Sequence, residues 1–371
     1  MVDARQSLPG LAPQAAQSFN NQTVRQVVRL SLGGTAVRVK ISNLFGTAPL
    51  TFSGVRIANA TGGGGIDAAT DRAVTFSGQS SVTLAAGAEL YSDTVALAAA
   101  PLSNVAISMY FAGPTSMPTV HPVARQTAYF GAGNQLSATT VQGTSDPWAA
   151  YFGLTAVETF SSEPAKVVVA FGDSTTDGFA STADAAKRYP NLLDDRLKAA
   201  GVPRTDVVNA GIGGNRWVYD YAGPSGNSRF DRDVLNVSGV THTIILMGLN
   251  DIGFSVDPVP AQEVSAQQII GAIDTAVNKA KARGIKVLLG TLLPYRGAGY
   301  YSDAGEAKRQ AVNAWIRGNT VVDAVVDFDV VVRNPADPAT LNPAYDSGDH
   351  LHPNDTGYAA MAAAVDLSKL Q

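Results

Sequence analysis

The hydrophobic pattern of the chain changes its period between residues 157 and 166, and this change restricts the folds that the chain can adopt. From residue 26 to residue 157 the apolar residues form short runs, such as 27–32, 36–41 and 105–111. The run 36–41 alternates apolar and polar side chains, which is typical of a strand with one buried face. No segment of this range has the 3.6-residue period of an amphipathic helix. We therefore predict a domain of many short strands, a β-sandwich of the jelly-roll type.

From residue 166 onward, continuous apolar runs replace the alternation. They occupy residues 166–171, 206–209, 243–247, 285–289 and 325–328. A continuous apolar run indicates a strand that is buried on both faces. Helical segments at 261–283 and 306–316 separate the later runs, and Gly284 ends the first of them as a C-terminal cap would. Strands that alternate with helices predict a flavodoxin-like α/β fold, a doubly wound parallel sheet.

The two patterns together predict two domains. We assign residues 1–160 to a β-sandwich accessory domain and residues 161–371 to an α/β domain, with the linker at 161–164. A chain of 371 residues is long enough for this arrangement, since domains usually contain about 100–200 residues.

The composition excludes several classes of function. The chain has no cysteine, which rules out disulfides, thiolate metal ligands and a cysteine nucleophile. Its net charge of −4 provides no basic surface for nucleic acid. No apolar run reaches the ~18 residues of a membrane span, and the N-terminus lacks the apolar core of a signal peptide. The charged fraction of only 16% favours a mature secreted or periplasmic protein, with a cytoplasmic protein as the alternative.

Ligand sites in open α/β sheets gather at the carboxyl ends of the strands. The first apolar run is followed there by Gly-Asp-Ser-Thr-Thr-Asp-Gly at residues 172–178. Ser174 on such a turn presents its hydroxyl beside a helix N-terminus, which favours developing negative charge. Ser, Thr and Asp also prefer the N-cap position of a helix, so Ser174 is either a nucleophile or a capping residue.

Two further polar groups follow the second and third runs. Residues 209–216 contain Gly214, Asn215 and Arg216, and the glycine allows the backbone to approach a ligand closely. The dinucleotide-binding pattern Gly-x-Gly-x-x-Gly is not met, because its third glycine would fall on Arg216. The segment is therefore either a ligand-binding turn or a purely structural turn. After the third run, Asn250 offers an amide that stabilises an oxyanion without titrating, and Asp251 follows it. A turn asparagine also serves in local hydrogen bonding.

The C-terminal group is Gly-Asp-His-Leu-His-Pro-Asn-Asp at residues 348–355. Asp349 lies three residues before His352, where a carboxylate can hold an imidazole in the tautomer that accepts a serine proton. His350 and His352 also form His-x-His, a spacing compatible with metal ligation. A catalytic zinc needs a third ligand at close range, and only two other histidines are present in the chain. We expect no metal.

Taken together and in this order, the four groups resemble the SGNH (GDSL) hydrolase superfamily, over residues 166–371. The charged segment 229–233 further resembles secreted bacterial esterases that carry an N-terminal β domain. The resemblance implies that Ser174 is the nucleophile, His352 its base and Asp349 the acid that orients the base. It implies an oxyanion hole formed by the N–H groups of Ser174 and Gly214 and the amide of Asn250. Substrate-binding or supporting positions are expected at Asp173, Asn215, Arg216, Asp251 and His350.

The implied activity is that of a serine ester hydrolase that works through an acyl-enzyme and needs no cofactor. We expect it to remove short acyl groups from acylated carbohydrate, including polysaccharide, or from other small esters. Lipase, aryl esterase and thioesterase activities of the same fold remain alternatives. A non-catalytic carbohydrate-binding protein on a hydrolase scaffold is the alternative from outside the enzymes.

Overall fold

The computed structural model describes residues 1–4, 17–146 and 150–371. The described residues form two compact units, which divide in the sequence between Pro164 and Ala165. The first unit contains antiparallel strands, and the second contains strands that alternate with helices.

The described part of the first unit consists of short strands and one 3-10 helix, Ala68–Thr70. Its strands are β1 (Val2–Asp3), β2 (Gln17–Phe19), β3 (Gln22–Arg29), β4 (Gly34–Ser42), β5 (Leu50–Phe52), β6 (Gly54–Gly62), β7 (Gly65–Ile66), β8 (Arg72–Val74), β9 (Val82–Leu84), β10 (Glu89–Tyr91), β11 (Val95–Ala99), β12 (Asn104–Phe111), β13 (Thr115–Met117), β14 (Thr119–His121), β15 (Ala128–Ala132), β16 (Gly143–Asp146), β17 (Tyr151–Phe152) and β18 (Leu154–Phe160).

The largest sheet of the first unit has the order β16-β15-β3-β12-β6-β7, with β8 also paired to β6. In a second sheet, β4 pairs with β10, β11 and β18. Along β4, the alternate residues Val37, Val39 and Ile41 are completely buried, as the period of two predicts. The all-β fold class predicted for this region is confirmed, and the sheets are antiparallel.

Five parallel strands form the centre of the second unit. They are β19 (Lys166–Gly172), β20 (Thr205–Gly211), β21 (Val240–Leu246), β22 (Lys286–Gly290) and β23 (Ala324–Val326), and a small hairpin follows with β24 (Arg333–Asn334) and β25 (Asp337–Leu341). The helices are α1 (Ser174–Asp177), α2 (Tyr189–Ala199), α3 (Gly226–Phe230), α4 (Leu249–Gly253), α5 (Ala266–Ala282), α6 (Asp303–Arg317), α7 (Phe328–Val332) and α8 (Asp355–Ala364). A π-helical turn, Asp231–Leu235, and two 3-10 helices, Pro260–Gln262 and Leu367–Leu370, complete the unit.

The parallel sheet has the order β20-β19-β21-β22-β23, which is that of a flavodoxin-like fold. The predicted fold class of a doubly wound parallel sheet is confirmed. Val168, Ile244 and Val287 from its three central strands are completely buried. Two of the differences between predicted and observed boundaries have a clear local cause. The helix predicted from residue 261 begins at Ala266, because Ser265 and Gln268 form a capping box there. The run 325–328 ends as a strand at Val326, because the Asp327 side chain caps α7.

Among the described residues, no helix is both long and apolar enough to span a membrane.

Candidate active site

The tight turn after β19 positions Ser174. β19 ends at Gly172, where a Cβ would overlap the Thr176 hydroxyl and the Leu246 carbonyl oxygen. Asp173 is the N-cap of α1, and its Oδ1 accepts a hydrogen bond from the Thr175 N–H at 3.0 Å. Ser174 is therefore the first residue of a helix that begins directly at the carboxyl edge of the sheet. Its exposure is only 8%.

The loop before α8 brings His352 and Asp349 to this serine. His352 Nε2 lies 2.8 Å from Ser174 Oγ, and His352 Nδ1 lies 2.6 Å from Asp349 Oδ2. The carboxylate accepts Nδ1–H, so Nε2 is left to accept the serine O–H. The imidazole ring also packs on Phe179, with a distance of 4.5 Å between ring centroids. Asp349, His352 and Ser174 thus form one continuous chain of hydrogen bonds.

The Asp349 carboxylate is held by its own loop. Its Oδ1 accepts hydrogen bonds from the backbone N–H groups of Leu351 at 2.9 Å and His352 at 2.8 Å. Burial alone would raise the pKa of Asp349, but the hydrogen bonds and the charge from His352 outweigh burial and hold this pKa below its ordinary value. The carboxylate is therefore ionised at neutral pH, where it can stabilise an imidazolium beside it.

The loop after β20 and helix α4 meet through Asn215 and Asn250. Asn250 Nδ2 donates to the Asn215 carbonyl oxygen at 3.1 Å. The neighbouring Gly214 has a φ of 72°, a left-handed conformation that favours glycine. The backbone N–H groups of Ser174 and Gly214 find no hydrogen-bond acceptor within the described parts of the chain. These N–H groups and the second N–H of the Asn250 amide are donors that a ligand can use.

Buried charged side chains hold these loops in place. Asp251 accepts hydrogen bonds from the backbone N–H groups of Trp217 at 2.7 Å and Val218 at 3.1 Å. Arg216 is buried and donates to Oε1 and the carbonyl oxygen of Gln262, at 2.6 Å and 2.8 Å. Burial raises the pKa of Asp251 to about 6, in spite of the N–H groups that favour its charge.

The structure separates the two histidines of the His-x-His motif. His350 is exposed, and its Nδ1 lies 2.6 Å from Asp346 Oδ2. It pairs with Asp346 as His352 pairs with Asp349, but it forms no hydrogen bond with Ser174. Within the residues that the structure describes, no group of three His, Asp or Glu side chains is arranged to hold a metal ion.

The sequence comparison identifies the family. The pattern of the GDSL-like lipase/acylhydrolase family matches residues 170–360, slightly more than half of the chain. The chain belongs to the GDSL-like lipase/acylhydrolase family. It is accordingly a carboxylic ester hydrolase of the SGNH/GDSL type, as the motifs predicted. No curated protein matches the chain.

Several solved structures are similar to slightly more than half of this GDSL-family chain. They include a GDSL-like lipase from Bacteroides thetaiotaomicron, with 23% identity over 55% of this chain and 87% of that one and a TM-score of 0.40. A carbohydrate acetylesterase family member from Sinorhizobium meliloti has 16% identity over 55% and 99% of the two chains, with a TM-score of 0.44. The aryl esterase of M. smegmatis has 18% identity over 56% and 100%, with a TM-score of 0.43.

Sequence reasoning assigned no role in the site to two residues of this family member, Arg229 and Tyr300. Arg229 is almost completely buried and donates to Asn215 Oδ1 at 2.8 Å, to the Ala210 carbonyl oxygen at 2.8 Å and to the Gly172 carbonyl oxygen at 2.7 Å. Arg229 belongs to the charged segment 229–233, which the resemblance to secreted bacterial esterases had already singled out. Tyr300, which donates to Asn250 Oδ1 at 3.2 Å, had no signal in the sequence, because it lies in a loop outside the four motifs.

Proposed function

We propose that this protein hydrolyses small carboxylic esters through an acyl-enzyme formed on Ser174. The observation that carries the proposal is the chain of hydrogen bonds from Asp349 through His352 to the Ser174 hydroxyl. This is the arrangement that activates a serine for nucleophilic attack: a base within hydrogen-bond reach and a third group that orients the base.

In the proposed mechanism, His352 Nε2 takes the proton of Ser174 Oγ as the oxygen attacks the ester carbonyl. The tetrahedral oxyanion accepts hydrogen bonds from the N–H groups of Ser174 and Gly214 and from the Asn250 amide. His352 then gives its proton to the leaving alcohol while Asp349 stabilises the imidazolium. Water, deprotonated by His352, attacks the acyl-enzyme, releases the carboxylic acid and restores the Ser174 hydroxyl. No cofactor takes part.

For the substrate, we propose a short acyl group on a carbohydrate or on another small alcohol. The exposure of Ser174 is 8% and that of His352 is 7%, and Phe179 packs on the imidazole. Such limited access to the nucleophile favours a small acyl group over a long one. The proposal places catalysis in residues 161–371 and gives residues 1–160 an accessory role. It also includes a secreted or periplasmic location, which the charged fraction of 16% supports.

The test is hydrolysis of p-nitrophenyl acetate, butyrate and octanoate by the wild type and by Ser174→Ala, His352→Ala and His350→Ala. We expect the first two variants to lose about 10⁴-fold or more in kcat. His350→Ala is the matched control and retains activity, because His350 pairs with Asp346 and not with the serine.

Activity that survives Ser174→Ala would overturn the assignment of the nucleophile. A wild type without activity on any ester would favour a carbohydrate-binding protein. A preference for acetate supports a short acyl group, whereas a preference for octanoate would direct the search to lipids.

A further inference from the structure

The side-chain amide of Asn250 is held at both of its ends. Its Nδ2 donates to the Asn215 carbonyl oxygen at 3.1 Å, and its Oδ1 accepts from the Tyr300 hydroxyl at 3.2 Å. A carbonyl oxygen can only accept, so the nitrogen of the amide must face Asn215. A flipped amide would set two oxygens against each other there. The contact with Asn215 therefore specifies the orientation of Asn250, and in this orientation the Tyr300 hydroxyl donates to Oδ1.

Packing fixes the position of the Tyr300 ring. The ring lies edge-on to Phe254, with centroids 5.8 Å apart, and contacts Tyr295 at a centroid distance of 5.9 Å. It also lies over Gly253, where a Cβ would collide with it. Gly253 belongs to α4, the helix that carries Asn250. Tyr300 is thus packed on the same helix whose asparagine it contacts.

The Tyr300 hydroxyl is a permanent donor. Burial, together with the nearby carboxylates of Asp173 and Asp349, raises the pKa of Tyr300 well above its ordinary value. The phenol consequently keeps its proton across the pH range in which an esterase works.

We propose that Tyr300 is a positioning residue, whose hydroxyl fixes the amide of Asn250 so that its second N–H is presented to the oxyanion. The inference rests on the proposed function, in which Asn250 is an oxyanion donor. A donor aimed in advance at developing charge stabilises the transition state more than the bound ester. Loss of the Tyr300 hydroxyl should therefore lower kcat and leave KM nearly unchanged.

The first test compares Tyr300→Phe with Tyr301→Phe on p-nitrophenyl acetate. Tyr300→Phe keeps the packed ring, so we expect the same Tm as the wild type, a kcat lowered about 3- to 10-fold and a KM within about twofold. Tyr301→Phe is the matched control. Its hydroxyl donates to Asp303 Oδ1 at 2.9 Å on the exposed surface, so this variant keeps the wild-type kcat.

The second test is a double-mutant cycle with Asn250→Ala. We expect Asn250→Ala alone to lower kcat about 10²–10³-fold, and Tyr300→Phe to cause no further loss in that background. The affinity for an alkylboronic acid, which forms a tetrahedral adduct on the serine, should fall in Tyr300→Phe by the same factor as kcat.

Two outcomes would overturn the role of Tyr300 and leave the proposed function intact. One is a wild-type kcat in Tyr300→Phe. The other is a loss of kcat on adding Tyr300→Phe to Asn250→Ala that is as large as the loss in the wild-type background. A wild-type kcat in Asn250→Ala would instead remove Asn250 from the proposed oxyanion hole, and the inference with it.

Discussion

At the scale of the residue, the Asp349 carboxylate accepts four hydrogen bonds, although it lies in a short loop. Besides His352 Nδ1 and two backbone N–H groups, it accepts a hydrogen bond from Ser347 Oγ at 3.0 Å. These donors orient both carboxylate oxygens. The side chain therefore serves as a fixed acceptor, and its chemical identity as a carboxylate determines the tautomer of the imidazole.

We predict that Asp349→Asn lowers kcat about 10³–10⁴-fold, because an amide can turn its NH₂ toward Nδ1 and stabilise the wrong tautomer of His352. The matched control is Asp346→Asn, the same substitution in the neighbouring Asp–His pair, which we expect to keep kcat near the wild-type value. Steady-state kinetics on p-nitrophenyl acetate measure both. Equal losses in the two variants would contradict the separate roles assigned to these pairs.

At the scale of the element, two glycines show opposite uses of the missing side chain. Gly172 ends β19 where no room exists for a Cβ, whereas Gly271 lies within α5 with open space around it. The first glycine allows the tight turn that places Ser174. The second gives its helix no packing benefit and adds backbone entropy to the unfolded chain.

We predict that Gly172→Ala lowers the free energy of unfolding by about 1–3 kcal/mol, because the new methyl group overlaps its neighbours. Gly271→Ala should raise it by about 0.5–1 kcal/mol, since alanine favours the helix and restricts the unfolded chain. Urea denaturation of the two variants beside the wild type measures the difference. A stabilised Gly172→Ala would mean that the turn after β19 is not tightly packed.

The elements also explain which parts of the molecule the sequence could predict. The apolar run at 166–171 predicted β19 because a central parallel strand needs apolar side chains on both faces. The same logic failed at residues 325–328, where Asp327 interrupts the apolar residues and caps α7, so that the strand ends at Val326. Hydrophobic periodicity carries little information about local hydrogen bonds of this kind.

For the candidate site, the sequence predicted the residues that lie in motifs but not the contacts that form between distant residues. Ser174 and Asn250 lie in motifs at strand ends and His352 lies in the C-terminal motif, so their types and order indicated the chemistry before the geometry was known. Tyr300 contacts Asn250 across a separation of 50 residues, and only folding brings the two together. A tyrosine in a loop is chemically unremarkable in sequence, which is why its contact had to come from the structure.

At the scale of the whole molecule, buried carboxyl groups make stability depend on pH. Burial raises the pKa of Asp173 to about 6, although the Thr175 N–H and His352 favour its charge. In an unfolded chain an aspartate titrates near about 3.9. Between these values the folded state binds more protons than the unfolded state, so this group makes the protein less stable as the pH rises.

We predict that Asp173→Asn removes this contribution. The free energy of unfolding of the variant, relative to that of the wild type, should increase by about 2–3 kcal/mol between about pH 4 and about pH 7. Asparagine keeps an oxygen that can accept the Thr175 N–H, so the cap of α1 is preserved. Denaturant unfolding at several pH values measures the two curves. Parallel curves would show that Asp173 titrates alike in both states.

The contacts of Arg229 have a consequence for biosynthesis. This side chain joins Gly172, Ala210 and Asn215, so the serine turn and its adjoining loops are encoded within one segment that ends at residue 229. The proposed base lies 178 residues after the serine. A ribosome therefore synthesises the proposed nucleophile long before the proposed base, and we expect that a growing chain cleaves no ester until residue 352 has emerged and folded back.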